Sequence, residues 1–450
     1  MLPGVSEMAT FSTYVFAFGW LQPLVTVCWI NAAYLVSLKG LRVCMVTMFP
    51  MQTPVWVHSS SGANRGCLGE LSEQNTPVKV RGFLAGIEIL RNILVAGVSL
   101  IICHLSNAAG QTVTPRSSST NEWVFVSFPD FFNFDVPEPW PKWEPAIEWF
   151  FYQVKKENPD FVVVAGDLVD GHWWDSPKCI EHMGAIYYEG WKRRVERYGL
   201  KYYVAVGDHE LGDDPWPSNK VVLVPHFERV FAERLCMPTN GPASKKGLAY
   251  YVVHKNLLLI AVETFELVDG KVHVDVGPEQ VTWMREVLAK YRNVPHKVVQ
   301  GHAPVLGPLR GRSTSYLMVT NGVNSAFWQL MQEAGVDLYL CGEFHAVNCL
   351  ESNGVWQIVH GSSWGRDEVE TMDYLVCRVT PDALHLEMKS FPMRCGGGFM
   401  WNLNKPRGPR EIVTIPETTK VRGPDVIGTL TIQKTSVGKQ FLNRTGCFAR

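Results

Sequence analysis

Five short polar clusters carry the residue types that can do chemistry: Asp130, Gly166-Asp167, Gly207-Asp208-His209-Glu210, Gly301-His302 and Gly342-Glu343-Phe344-His345. Each follows a β-branched or aromatic run that reads as a strand, at 123–128, 161–165, 202–206, 297–300 and 338–341. So many carboxylates and imidazoles do not suit a plain core, because burying them requires pairing or a metal. In open α/β sheets the carboxyl ends of the strands line one crevice, so loops far apart in sequence deliver side chains to one place. Carboxylate oxygen with imidazole nitrogen suits Zn, Mn or Fe, and the number of ligands favours two ions. Two adjacent ions activate water and neutralise the oxygens of an in-line displacement, which points to phosphate-ester hydrolysis.

Across roughly residues 121–390 the chain resembles the calcineurin-like metallophosphoesterase family, whose pattern sets D-x-H, GD-x-x-D, GNHE, GH and GH-x-H at successive strand ends. Gly166-Asp167-Leu168-Val169-Asp170 matches the second motif, Gly207-Asp208-His209-Glu210 the third with one change, and Gly301-His302 the fourth. The resemblance implies that Asp167 bridges two metals, that Asp208 and His302 bind one of them, and that His209 stands beside the scissile ester to stabilise charge or protonate the leaving oxygen. Three positions depart from the pattern. Pro129-Asp130-Phe131-Phe132 places Phe132 at the histidine of D-x-H, where it cannot ligate, so one metal is short of a ligand, takes water, or recruits His172 or Asp135. Asp208 replaces the asparagine, and Glu343 replaces the first histidine of GH-x-H while His345 remains. Both changes harden the site toward oxygen and favour Mn or Fe, with Zn still compatible. The expected ligands are Asp130, Asp167 and His345 on one side and Asp167, Asp208, His302 and Glu343 on the other, holding two divalent or trivalent ions.

On the substrate side, His172 in Asp170-Gly171-His172-Trp173-Trp174 is expected to contact phosphate or orient a ligand, the competing reading being a core histidine beside two tryptophans. Arg310 and Arg312 are candidates to clamp phosphate through charge-assisted bonds, or are surface residues. Trp173, Trp174 and Trp216 are candidate walls of the cleft, Asp170 an indirect partner of the metal ligands and Glu263 a structural acid. The expected function is a metal-dependent hydrolase of phosphate mono- or diesters that uses a metal-activated water, with His209 and Asp167 as its catalytic pair. The alternative is a binding or regulatory protein that keeps the fold with one metal or none.

The elements that position these residues alternate between strand and helix, which gives an α/β class: a two-sheet, metallophosphoesterase-like sandwich with helices on the outer faces. Further strands are expected at 257–262, 356–359, 374–379 and 384–388, those from Val355 to Met388 forming an antiparallel set that closes a second sheet. Pro278 to Tyr291 has an apolar helical stripe, as do Ile147, Phe150, Phe151 and Val154, and a third helix ends at Gly335. A variable insertion between Gly171 and Lys201 is expected to shape substrate access. Beyond Arg394 the chain reads as a basic tail or flap, with a small hairpin pairing 412–415 with 426–433.

Composition limits the partners. The 450 residues hold 42 Lys+Arg against 43 Asp+Glu, a net charge of -1, so nucleic acid is not gripped electrostatically beyond a nucleotide as substrate. With 46% hydrophobic and 19% charged residues the chain is too apolar to be disordered. Residues 8–38 carry no charge and are long enough to span a bilayer, a buried hydrophobic hairpin being the other reading. Arg91 precedes an apolar run at 92–103 and small residues at 106–110, the layout of a secretory leader. Either the working protein begins near Gln111, or the two runs form a membrane tether around a polar loop at 39–90. The chain is thus expected to be exported or membrane-anchored, in four parts: 1–110, a linker at 111–120, the catalytic domain at 121–393 and 394–450. None of its 11 cysteines forms a close metal-binding pair; in an exported chain Cys341 pairs with Cys349, or Cys179 with Cys236, and otherwise they are buried thiols.

Overall fold

The computed structural model describes residues 32–38, 41–47, 122–128, 144–169, 171–311, 313, 315–360, 371–396 and 412–449. Chain contacts divide it into Met1–Thr112 and Val113–Arg450. In the first unit the described residues form one antiparallel hairpin, β1 (Ala32–Leu38) with β2 (Leu41–Thr47), so the last part of the uncharged 8–38 run is strand. Residues 8–31 and the 92–103 run lie outside the described residues. Among the described residues no helix is long and apolar enough to cross a membrane.

The second unit begins with β3 (Trp123–Ser127), α1 (Glu144–Lys156), β4 (Phe161–Val164), α2 (Pro177–Arg197), β5 (Tyr202–Val204), α3 (Val224–Leu235), β6 (Tyr250–His254) and β7 (Leu257–Ala261). Next come the hairpin β8 (Phe265–Val268) and β9 (Lys271–Val274), α4 (Pro278–Lys290), β10 (His296–Gln300), α5 (Ala326–Glu333), β11 (Leu338–Cys341), β12 (Val347–Ser352) and β13 (Val355–His360). It ends with β14 (Thr371–Val379), β15 (Ala383–Pro392), the short pair β16 (Arg394–Gly396) and β17 (Ile412–Thr414), β18 (Asp425–Thr435) and β19 (Gly438–Gly446). Two sheets result, one ordered β12-β13-β11-β10-β7-β6 and the other β19-β18-β15-β14-β3-β4-β5. The α/β sandwich of two sheets with flanking helices is the architecture expected from the sequence.

The parallel strands are β7, β10, β11 and β13 at the centre of the six-stranded sheet and β3, β4 and β5 at one end of the seven-stranded sheet. Parallel strands covered on both faces are apolar throughout, and β4 (FVVV) and β7 (LLLIA) are buried along their whole length. The outer face of the six-stranded sheet packs on α4 and α5 through Met284, Leu288, Phe327 and Met331. Its inner face joins the larger cluster shared with the seven-stranded sheet, α1, α2 and α3. Direct bonds cross between the sheets: the Tyr250 hydroxyl donates to the Val204 carbonyl at 2.8 Å, and the Ser127 hydroxyl lies 3.0 Å from His360 Nε2.

Several expectations are corrected. The Gly171–Lys201 segment is the crossover helix between parallel β4 and β5, not an insertion. Ser176 caps α2 by accepting the Cys179 N–H at 3.2 Å, and Ile180, Tyr188, Trp191 and Val195 bury its inner face. Residues 355–388 do not form one antiparallel set: β13 pairs with β11 and β12, while β14 and β15 belong to the other sheet. In the C-terminal region β18 pairs with β19 and β15, extending the seven-stranded sheet, while 412–414 pairs with 394–396. The suggested cysteine pairs do not form. Cys236 adjoins Arg234, whose carbonyl accepts from Lys192 Nζ at 3.1 Å, placing it near the C-terminal end of α2, whereas Cys179 lies in the first turn, roughly 20 Å away along the helix. Cys341 and Cys349 lie on opposite faces of the six-stranded sheet.

Candidate metal centre

The strand ends of both sheets meet at one edge of the sandwich, and tight backbone turns aim the side chains there. Asp167 takes a left-handed φ of 57°, directly after Gly166 at 105°. A Cβ on Gly166 would lie 2.7 Å from Gly207 Cα and 2.8 Å from His302 Nδ1, and one on Gly207 would lie 2.2 Å from Asp167 Oδ1. The glycine before each aspartate is therefore what lets the two loops touch. Glu210 ties them together: Oε2 accepts the N–H groups of Asp167 at 2.7 Å and Gly207 at 2.8 Å, and Oε1 accepts Leu168 N–H at 2.8 Å. Glu343 also has a left-handed φ, 72°. Its Oε1 accepts the Ser313 hydroxyl and, at 3.0 Å, the Leu317 N–H.

His302 is the centre of the cluster. Its Nδ1 lies 2.8 Å from the Ala165 carbonyl, which can only accept, so Nδ1 carries a proton and the Nε2 position faces the acids. From Nε2 the distances are 3.1 Å to Asp208 Oδ1, 3.4 Å to Asp167 Oδ2 and 3.5 Å to Glu343 Oε2. Burial alone would raise the Asp208 carboxyl, but the His209 and His302 imidazoles outweigh it and hold the group below the ordinary carboxylate range. Asp208 Oδ1 is buried with no hydrogen-bond donor. Three buried carboxylates around one imidazole, with an acceptor oxygen left over, fit a cation of the Zn, Mn or Fe type. Among the described residues, the groups able to hold a metal are Asp167–Asp208–His209, Asp208–His302–Glu343 and Asp208–Asp213–Asp214.

A second polar layer adjoins the first. His209 donates its backbone N–H to Asp167 Oδ1 at 3.4 Å, and its Nε2 lies 4.0 Å from Asp167 Oδ2 and 3.7 Å from Asp213 Oδ1. Asp213 Oδ2 lies 2.7 Å from His172 Nε2, so one carboxylate stands between two imidazoles. The Ser315 hydroxyl donates to Asp214. Burial raises the Asp214 carboxyl against that bond, and Asp213, Asp208 and Glu343 push it the same way. Trp173 belongs to the core, stacked on Tyr187 at 5.1 Å, whereas Trp216 packs on Phe265, which in turn faces His302.

Asp167, Asp208, His209, His302, Glu343 and His172 are thus brought together as the spacing suggested. His345 stands half-buried on the loop after β11, outside the three metal-capable groups. Arg310 is exposed, and its backbone exchanges bonds with the Asn348 side chain at 2.7 and 2.8 Å. Asp130, Phe132, Asp170 and Arg312 lie outside the described residues. Glu210, Asp213 and Ser313 have no individual role in the sequence reading. Glu210 closes the GDHE motif, and Asp213 stands four residues after His209; nothing in the sequence marks Ser313.

An α/β sandwich with clustered Asp, His and Glu side chains at its strand ends is the arrangement of the metal-dependent hydrolase superfamily. Residues 137–347 match the family model for calcineurin-like phosphoesterases. Comparison with curated proteins returns no match. Among solved structures the chain is similar to a dimetal phosphatase from Danio rerio, with 12% identity, a TM-score of 0.42 and coverage of 59% of this chain and 95% of that one. It is similar to PhoD at 11% identity and TM-score 0.46, covering 72% of each chain. A third is GAP50, the anchor in the inner membrane complex of Plasmodium, at 14% identity and TM-score 0.38, covering 67% of this chain and 93% of that one.

Proposed function

We propose that the domain hydrolyses phosphate mono- or diesters with the help of bound metal. The observation that carries this reading is the convergence of Asp208, Asp167 and Glu343 on His302 Nε2 at 3.1, 3.4 and 3.5 Å. In it Asp167, Asp208, His302 and Glu343 hold the first ion, and Asp130 and His345 join Asp167 for a second, with Mn or Fe favoured over Zn by the oxygen-rich donors. Bound metal supplies an activated water and positive charge against the phosphoryl oxygens. The chain's own residues orient and move protons. His209, held between Asp167 and Asp213, keeps a proton at Nε2 for the leaving oxygen. Asp213 fixes the His172 ring at 2.7 Å, setting it to bind a phosphate oxygen. Arg310, exposed on the following loop, extends the grip toward the rest of the substrate.

The test is hydrolysis of an aryl phosphate monoester and a diester by chelator-treated protein before and after addition of Mn, Fe or Zn. Turnover restored by metal, with the metal found by elemental analysis, supports the reading. Protein that binds no metal and stays inert after reconstitution would instead establish a binding or regulatory role on the same fold. Export or membrane anchoring belongs to the same proposal, resting on the apolar runs at 8–38 and 92–103. N-terminal mass spectrometry of the cellular protein reads it: a start near Gln111 supports removal of a leader, and an intact Met1 species sinks that arm.

A further inference from the structure

We infer that Cys349 and Cys447 form a disulfide when the chain meets an oxidising environment, tying the C-terminal hairpin to the opposite sheet. Cys349 lies on β12, paired with Ile358, and shares the inner face of the six-stranded sheet with Ile358 and Trp356. Cys447 directly follows β19 at the edge of the seven-stranded sheet, and its neighbour Phe448 packs on Trp356, which shares the inner face with Cys349, so that each thiol shifts the ionisation of the other. The surrounding packing fixes both. Trp356 meets the Phe441 and Phe448 rings, each at 5.8 Å, and the Arg444 guanidinium lies over it at 5.3 Å. Cys447 N–H donates to the Ile427 carbonyl at 3.2 Å, and a Cβ on Gly428 would lie 2.4 Å from the Cys447 sulfur. The glycine thus leaves the space that the sulfur occupies.

The faces of the sheet choose the partner. Cys341 is nearer to Cys349 in sequence, but it lies in the outer cluster with Tyr339 and Val359, its sulfur directed to the Ile358 carbonyl at 3.7 Å. Side chains on opposite faces of a strand pair cannot meet without backbone movement. Cys349 is buried and Cys447 half-buried, and the neighbouring thiol lowers Cys447 whereas burial pushes Cys349 well up, so Cys447 is the first nucleophile. Its thiolate attacks a small-molecule disulfide, forming a mixed disulfide and releasing one thiolate; Cys349 then loses its proton and displaces the second small thiolate from the Cys447 sulfur. The two cysteines together give up two protons and two electrons, which end on the two released thiols. The closed loop is roughly 100 residues long, a length at which a cross-link constrains the unfolded chain strongly.

The experiment incubates the full chain with oxidised or reduced glutathione, alkylates the remaining thiols, and maps unreduced peptides by mass spectrometry. The expected result is a linked peptide pair carrying Cys349 and Cys447 in the oxidised protein, with both residues alkylated in the reduced one. The urea midpoint should rise on oxidation of the native chain and stay unchanged for Cys447→Ser and Cys349→Ser. Cys349 and Cys447 still alkylated after oxidation, or a Cys341–Cys349 link in their place, overturns the inference; the mapping on the native chain decides it even where a serine variant does not fold.

Discussion

Strand β11 has a buried acid at each end, and the two are handled differently. Asp337, just before its amino end, accepts the Lys297 N–H at 2.9 Å and pairs with Lys439 at 3.0 Å and with Lys434. Glu343, just past its carboxyl end, shares its site with Asp167, Asp208 and the His302 imidazole. Both ends cost desolvation. At Asp337 the compensating charge is two ammonium groups of the C-terminal hairpin, so the acid serves to hold β18 and β19 against the opposite sheet. At Glu343 the facing groups are themselves potential metal ligands, a donor set that fits a cation from outside. A buried carboxylate alone therefore does not identify a site; the chemistry of its partner does.

The largest effects are expected at the carboxyl end. Asp208→Ala should lose bound metal and lower turnover of an aryl phosphate by more than about 100-fold, the upper range for residues that only support a ligand. Its circular dichroism should match the native chain, and metal retained at full stoichiometry would place Asp208 outside the ligand set. His209→Asn should lower turnover by about 100-fold or more while metal content is unchanged, as fits proton transfer rather than ligation. Metal lost along with turnover would make His209 a ligand instead.

Asp337→Asn reverses the pattern. It leaves Lys434 and Lys439 facing each other and should cost about 3 kcal/mol in urea unfolding, with turnover and metal content intact. Saturating metal, at about 100 times its Kd, should add about 2.7 kcal/mol to the native chain and to Asp337→Asn but not to Asp208→Ala. If Asp337→Asn also abolishes turnover, the two ends are coupled and the contrast fails.

The strand ends were legible because parallel strands buried on both faces leave unbroken β-branched runs, and Gly-Asp or Gly-His follows where the backbone must turn tightly. Gly166-Asp167 and Gly207-Asp208 could be read as sites before any coordinates, since only glycine permits the contact between those loops. The edge strands were harder. β7 was expected but β6, a short edge strand that ends in His254 and is joined to β7 through Lys255 and Asn256, was not, and β19 alternates half-buried and exposed residues with little apolar signal. Asp213 and Ser313 were invisible as partners because their roles come from loops that meet only in three dimensions: Ser313 reaches Glu343, and Asp213 reaches His172. The helix α2 was misread because the many polar residues among its apolar positions resemble a surface insertion until the inner face is seen packed.

His360, at the end of β13, offers the smallest and most discriminating test, because it lies between the sheets rather than in the ligand cluster. It is fully buried, within 3.0 Å of the Ser127 hydroxyl, and burial pushes its imidazole down to about 3 from an ordinary 6.5. In the unfolded chain the group takes up a proton as pH falls through about 6.5, while in the folded chain it stays neutral until much lower. The stability it contributes is therefore complete above the unfolded value and is lost on acidification through that window. Between pH 6 and 5 the loss should be about 1 kcal/mol for this group. His360→Gln can keep a hydrogen bond to Ser127 without titrating, so whatever its absolute stability, the variant's urea midpoint should fall less steeply over the same interval. Parallel curves for the two proteins would show that His360 is not neutral in the fold, and that the acid sensitivity comes from the carboxylates of the candidate metal centre.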